Sequence, residues 1–373
     1  MKRDAHYYAM LAFSRACGFR PESAHELAFA SQFVNDAKID YMTFDGDVPK
    51  DLDYTVNGRR PVFSGMATSH SAFRLESFTW SSMIETTTAF HFVPGCKGSN
   101  FVTKLRCMEE SPVILTIVRE AMAGEDLMRL GIALHAYADS FTHQGFSGVL
   151  SAVNNIRDLK WSDNVELAET DDIIEISQLR RQNGNEQYRS DAGRPSYGHD
   201  QALEYPDIPC ARWSCQCCVD EGNCDAYIST GTIDNHARFR RAFEKIQDLL
   251  EMYVQRHRTF VDLSMDYGNY PVLYHALLYD APFAEREKNW RKVIVHEDLF
   301  ETRDPTVKYD EDRWLKASFT NYSRRRFNKR TVHGAVPCRG FAKSPWYRFY
   351  RAVRWYKERF FDYCSQFGLD IPR

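Results

Sequence analysis

The sequence predicts a mainly α fold: a multi-helix bundle with loop insertions, built as one domain over residues 1–373. Three observations predict it. Apolar residues recur at a spacing of three and four in segment after segment. Strand-type alternation is scarce. And a run of imidazoles and a carboxylate, spaced by four, lies inside an otherwise apolar helical stretch.

In chain order, residues 7–17 form a first helix closed by Gly18, and Pro21 with Glu22 opens a second that carries Leu27, Ala28, Ala30, Phe33 and Val34 at helical spacing. Residues 40–65, with Asp45, Gly46, Asp47, Pro49, Asn57, Gly58 and Pro61, read as a loop or a short hairpin. Residues 83–92 are helical up to the Pro94-Gly95 turn, and 112–123 form another helix. After Gly124 comes a helix over 126–143 that breaks at Gly145. A polar, acidic and cysteine-rich insertion spans about 160–232. Its acidic part (162–175) and its glycine-rich part (181–198) are expected to be an exposed crossover. Asp234 is placed as the cap of a long helix running to about 263. Residues 282–295, 311–322 and 345–361 are helical within a basic and aromatic C-terminal extension over about 282–373.

Bulk properties bound the function. At 373 residues the chain can bury a real core. A net charge of -3 excludes attraction of the whole molecule to nucleic acid, so charge acts only locally. The N-terminus shows no apolar stretch of the secretory type, and no window approaches 18 uninterrupted apolar residues. Ten scattered cysteines without a leader lead us to expect reduced thiols in a cytoplasmic protein, or in an effector exported without a classical signal peptide.

The most informative stretch is His135-x3-Asp139-x3-His143. A step of four residues on an α-helix rotates by only ~40°, so the three side chains share a stripe within about 80°. Two imidazoles and a carboxylate on one stripe suit zinc or a similar N/O-preferring metal, and a carboxylate has two oxygens with which to bridge ions. A solvent-facing charged stripe fits poorly, because Leu130, Ile132, Ala133, Leu134, Ala136 and Ala138 are apolar or small. Further candidate ligands are Asp4 and His6 at the N-terminus, Asp36 ending the second helix, His91 between two phenylalanines, His199 after a glycine, and Asp207. Each has a plain reading: a helix-terminal acid for Asp36, a core histidine for His91, a loop residue for His199. Only their joint pattern argues for ligation. His70 is a lesser candidate, His25 is expected on the surface, and His236, His257, His275, His296 and His333 show no ligand spacing.

That pattern resembles the zinc-dependent phospholipase C superfamily, which also holds fungal zinc-dependent single-strand nucleases, and within it an uncharacterised bacterial branch. The resemblance rests on the Asp4-x-His6-Tyr start, Ala-Ser-Gln-Phe-Val-Asn-Asp36-Ala, Phe-His91-Phe-Val-Pro, the His135/Asp139/His143 helix and Gly-His199, and covers roughly residues 4–210. It implies a helical bundle of the phospholipase C type holding two or three zinc ions. Asp36, His91, His135 and Asp139 would hold one ion, with Asp139 bridging to a neighbour; His6 and the N-terminal region would serve a second; His143 and His199 would serve a third. Two departures stand out. The secreted enzymes use a processed N-terminal amine, which we expect Asp4 to replace. They also place an acid four residues after the last histidine, where this chain has Leu203, so that Asp200, Glu204 or Asp207 substitutes or the third metal is absent.

Zinc lowers the pKa of a bound water to about 7, and paired zincs clamp a phosphodiester. Asp36 and Asp139 are the expected catalytic carboxylates. No glycine-rich phosphate loop and no G-x-S-x-G elbow is present. The expected activity is therefore phosphodiester hydrolysis of the phospholipase C kind, the alternative a nuclease or nucleotide phosphodiesterase. An alternative of another class is a non-catalytic, metal-stabilised binding or effector module.

Two features stand apart. Cys210, Cys215, Cys217, Cys218 and Cys224 cluster, and Cys215-x-x-Cys218 has a ligand spacing, but no second such pair follows, so a zinc knuckle competes with plain loop thiols. At the C-terminus, Trp346, Tyr347, Phe349, Tyr350, Trp355, Tyr356, Phe360 and Phe361 interleave with Arg348, Arg351, Arg354, Lys357 and Arg359. This is either an amphipathic helix packed on the bundle, a peripheral contact for an anionic membrane, or a stacking platform for single strands.

Overall fold

The computed structural model describes residues 1–49, 52, 62–69, 78–161, 194–219, 226–263 and 268–372. It is mainly α-helical, and no described helix is long and apolar enough to cross a membrane. A π-helical turn, Asp4–Ala9, runs into α1 (Met10–Ala16). Gly18 reverses the chain at φ +94°, and Pro21 then opens α2 (Pro21–Asp36), where its fixed φ suits a first turn. Within the 40–65 segment β1 (Tyr41–Phe44) pairs antiparallel with β2 (Val62–Ser64), and most of the stretch between them lies outside the described residues. The helix expected over 83–92 is π-helical at Met83–Thr88 and α-helical only at Ala89–His91.

Next come α3 (Pro112–Ala123) and α4 (Leu127–Thr142). The Asp126 carboxylate accepts hydrogen bonds from the Met128 and Arg129 amides, which caps α4. The insertion holds β3 (Ile156–Trp161), β4 (Arg212–Cys218), β5 (Tyr227–Ser229) and β6 (Ile233–Asp234), joined antiparallel through β4. These strands flank the stretch expected as exposed crossover, of which only residues 194–198 are described, and these are half-buried or buried. Ile156, Tyr205, Trp213 and Cys215 form a second apolar cluster with Phe92 and Phe146, while 162–193 lie outside the described residues. Then follow α5 (Asn235–Arg256), α6 (Tyr270–Leu277), α7 (Phe283–His296), β7 (Thr331–Ala335) and α8 (Pro345–Gln366). The helix expected to reach 263 stops at Arg256. Asp234 precedes it but caps nothing with its side chain, which pairs with Arg212 at 3.2 Å. In place of a helix over 311–322 there is one short piece, Arg313–Ser318.

The core is organised around α4. Every residue of this helix except Arg129 is buried, and α2, α3, α5 and α8 pack around it. Most of its surface is apolar or small, which suits a helix enclosed on all sides. The closest approach is at Gly131, where a Cβ would stand 2.5 Å from the Leu27 carbonyl oxygen and 2.8 Å from the Ala30 Cβ. The C-terminal segment shares this core. β7 adds parallel to β1, and Trp346, Phe349, Tyr350, Val353, Tyr356 and Phe360 of α8 are all buried in it. Those rings are therefore not available to stack on bases, and α8 is the amphipathic helix packed on the bundle.

Candidate metal centre

Because α4 is enclosed, its polar stripe must be satisfied from within. His135, Asp139 and His143 are all buried, with His143 at the C-terminal cap of the helix. Asp139 is the hub. Its Oδ1 lies 3.0 Å from His6 Nε2, and its Oδ2 lies 3.2 Å from His91 Nδ1 and 3.3 Å from His135 Nε2. The His6 ring stacks on His135 with centroids 3.8 Å apart. One turn onward, His143 Nε2 is 3.0 Å from Asp207 Oδ1, and His199 Nε2 is 3.5 Å from Asp207 Oδ2. Two groups result, His6/His135/Asp139 and His143/His199/Asp207. In each, one ligand atom per residue lies within 4.8 Å of the others, so either group could hold a metal ion.

The element ends set these positions. His6 comes from the π-helical first turn, a local form that recurs at functional sites. His91 ends the short Ala89–His91 helix, and His199 and Asp207 flank and close two 3-10 turns, Asp200–Ala202 and Tyr205–Asp207. Backbone carbonyls hold three of the rings. His143 Nδ1 meets the His91 carbonyl at 2.8 Å, His199 Nδ1 meets that of Leu203 at 2.9 Å, and His91 Nε2 meets that of Thr68 at 2.9 Å. Each contact fixes the tautomer and turns the other ring nitrogen inward, as around metal-ligating histidines. Leu203 adopts φ +55° to present its carbonyl.

The electrostatics match that role. Burial pulls the His6, His135 and His143 imidazoles below their usual pKa, outweighing Asp139, so they are neutral with free lone pairs. Burial alone would raise Asp139 and Asp207, but the Met1 ammonium and then the histidines hold both well below the usual carboxylate range. Neutral imidazoles and ionised carboxylates are the forms that bind metal. The buried nitrogens His6 Nδ1 and His135 Nδ1 have no hydrogen-bond partner, whereas their Nε2 atoms converge on Asp139. The donor set fits a divalent ion.

One participant escaped the sequence reading. The Met1 α-amine is buried between the two groups, 2.7 Å from Asp139 Oδ1, 2.8 Å from Asp207 Oδ1 and 3.4 Å from His143 Nε2. Burial opposes its charge, yet the two carboxylates raise its pKa from 8.0 to about 10. The group that stands at the N-terminal side of the centre is thus the Met1 ammonium, not the Asp4 carboxylate. Asp4 instead receives the Arg286 Nε at 2.6 Å, with both side chains buried, and anchors α7 to the N-terminal turn. Among the acids weighed for the last histidine, Asp207 is the one that meets it.

Asp36 also lies elsewhere. It accepts the Tyr309 hydroxyl at 2.6 Å and the Gln32 amide at 3.1 Å. The reason is helical phase. Leu27, Ala30 and Ser31 of α2 meet α4 at Gly131, and Asp36, nine residues after Leu27, is rotated by ~900°, half a turn away from that face. Neither described ligand group contains it. His25 is not a surface residue. It is half-buried beside Tyr7 and Phe29, and burial lowers its pKa to about 3. His70 and Cys224 lie outside the described residues.

Among the described residues the cysteine cluster does not form a zinc knuckle. Cys215 and Cys218 stand three apart on β4, hence on opposite faces, and a C-x-x-C ligand pair needs a turn. Cys210, Cys215 and Cys217 are free thiols, but Cys218 is disulfide-bonded, against the expectation of reduced thiols throughout.

Nothing among the curated proteins or the solved structures matches this chain. A family model does, over residues 1–364, and the chain accordingly belongs to that family of unknown function, DUF6765.

Proposed function

We propose that this protein is a metal-dependent phosphodiester hydrolase of the phospholipase C type, with zinc as its ion. The observation that carries this reading is the meeting of two His/His/Asp groups on either side of one buried amine, with Asp139 touching three imidazoles through two oxygens. Zinc held there would supply a water acidified to a pKa of about 7 and a Lewis acid for the phosphate oxygens. Asp139 meets His6 through one oxygen and His91 and His135 through the other, and would be the carboxylate shared between ions if two are held there. With Asp36 tied to Tyr309, the carboxylate that would orient the attacking water is Asp207. Its side chain is 16% exposed against 2% for Asp139. His91 and His199 are the less buried rings, so substrate approaches from their side.

The test is elemental analysis together with chelator-sensitive turnover of bis(4-nitrophenyl) phosphate. Phospholipid vesicles and single-stranded nucleic acid, offered to the same preparation, separate the phospholipase from the nuclease. The cations of α8 argue for neither substrate, because Arg348, Arg354 and Arg359 are ion-paired with Glu26, Glu358 and Glu120. Those pairs also weaken a peripheral membrane role for this face. One observation favours the second reading, a binding or effector module with structural metal only: His6, His135 and Asp139 are almost fully buried. Bound zinc whose removal lowers thermal stability, with no chelator-sensitive hydrolysis of any of the three substrates, would establish that alternative.

A further inference from the structure

Cys215 and Cys217 alternate with Trp213 along β4, so all three point to the same face of the strand. Their sulfurs stand 3.5 Å apart, in contact. Nothing in the proposed hydrolysis uses this pair. Cys215 is buried, and its backbone is pinned at both ends of the peptide: its amide donates to the Thr230 hydroxyl at 3.0 Å, and its carbonyl accepts from that same hydroxyl at 3.1 Å. Cys217 is only half-buried. Two guanidinium groups stand near it. Arg106 donates to the Cys218 carbonyl at 2.6 Å, and Arg238 donates to the Thr142 carbonyl at 3.2 Å. The Cys215 thiol, and after it these two cations, favour the thiolate at Cys217 against its burial, while the Cys217 neighbour and then burial disfavour it at Cys215. The less buried residue of the pair is thus the better nucleophile, with the buried one in contact with it.

We propose that Cys215 and Cys217 form a thiol–disulfide exchange site for small anionic disulfides, with Cys217 the attacking sulfur and Cys215 the resolving one. The Cys217 thiolate attacks one sulfur of the disulfide RSSR, forming a Cys217–SR bond and releasing RS⁻. Cys215, losing its proton to solvent, attacks the Cys217 sulfur, which forms the Cys215–Cys217 bond and releases a second RS⁻. The protein dithiol is oxidised by two electrons and RSSR is reduced to two thiols. Residues i and i+2 on a strand are separated by about 6.6 Å between α-carbons, at the long end of disulfide reach, so the product bond is strained and readily reversed by excess thiol.

The experiment uses the full chain and glutathione disulfide as the probe, read by alkylation and peptide mass spectrometry. The wild-type chain should lose two alkylatable cysteines and two hydrogens from the peptide carrying residues 215 and 217, and excess reduced glutathione should restore both. Cys215→Ser should accumulate the glutathione adduct on Cys217. Cys217→Ser should react at least tenfold more slowly and leave residue 215 unmodified. The wild-type measurement needs no variant, so failure of either variant to fold leaves the proposal testable. It is overturned if wild-type Cys215 and Cys217 remain alkylatable, if the adduct forms on Cys215, or if a chelator-releasable metal protects both sulfurs and no disulfide forms.

Discussion

Replacing Asp139 with Asn tests the centre at its hub. The Asp139 carboxylate faces the Met1 amine and His6 through one oxygen and His91 and His135 through the other. An amide keeps one acceptor oxygen and turns an NH2 toward the remaining partners, and the buried ammonium is left with Asp207 alone. Breaking one side of a buried charge pair costs about 3–5 kcal/mol. For 373 residues at about 2.1 cal/mol/K each, the unfolding entropy is roughly 0.8 kcal/mol/K, so the metal-free variant should melt about 4–6 °C lower. Metal adds a second term. An ion present at a thousand times its Kd stabilises the wild type by about 4 kcal/mol, a further ~5 °C that chelator should abolish. The variant should gain little of it. Differential scanning calorimetry with zinc and with chelator, read beside elemental analysis, measures both terms. An Asp139→Asn chain with wild-type zinc content and a wild-type chelator shift would refute the assignment of this carboxylate.

Asp36→Asn should keep the metal content and the chelator shift of the wild type, because an amide oxygen still accepts the Tyr309 hydroxyl and the residue lies off the α4-facing side of α2; loss of metal by elemental analysis would return Asp36 to the ligand set. His25 has a folded pKa of about 3 against 6.5 unfolded, so only the unfolded chain takes up its proton between these values; stability is full above pH 6.5 and falls as pH drops toward 3. Denaturant titrations of wild type and His25→Gln should therefore show a decline from pH 8 to pH 5 that is smaller in the variant by about 2 kcal/mol. Gly131→Ala gains about 1 kcal/mol of helix propensity, but its Cβ meets the Leu27 carbonyl at 2.5 Å, and overpacking costs about 1–3 kcal/mol. Unfolding by denaturant should show net destabilisation, and a more stable variant would show that α2 and α4 can part freely.

What could be read in advance follows from the range over which each signal acts. The α4 stripe was legible because ligand phase and apolar surroundings are both local, within 16 residues of one helix. For Asp36 helical phase decides only once the face of α2 that meets α4 is known: counted from Leu27, its side chain faces away from the stripe that Ala30 and Ser31 share with α4, whereas its place among the ligands rested on the resemblance alone. Asp4 shows a different limit. Its partner Arg286 lies 282 residues away, and no periodicity links them. The Met1 amine meets carboxylates 138 and 206 residues away, and no local spacing in the sequence carries that contact. In β4 a ligand-like cysteine spacing overlies a strand pattern, in which Trp213, Cys215 and Cys217 alternate with Ser214 and Gln216 as a half-buried strand does. The basic and aromatic C-terminus makes the same point in reverse. The interleaving of rings with arginines reads equally as a binding platform or as a packed amphipathic helix, and the arbiter is the apolar surface waiting on α3 and α4. A composition of this kind identifies a face, and only the partner that buries it decides whether its rings belong to the core or to a ligand.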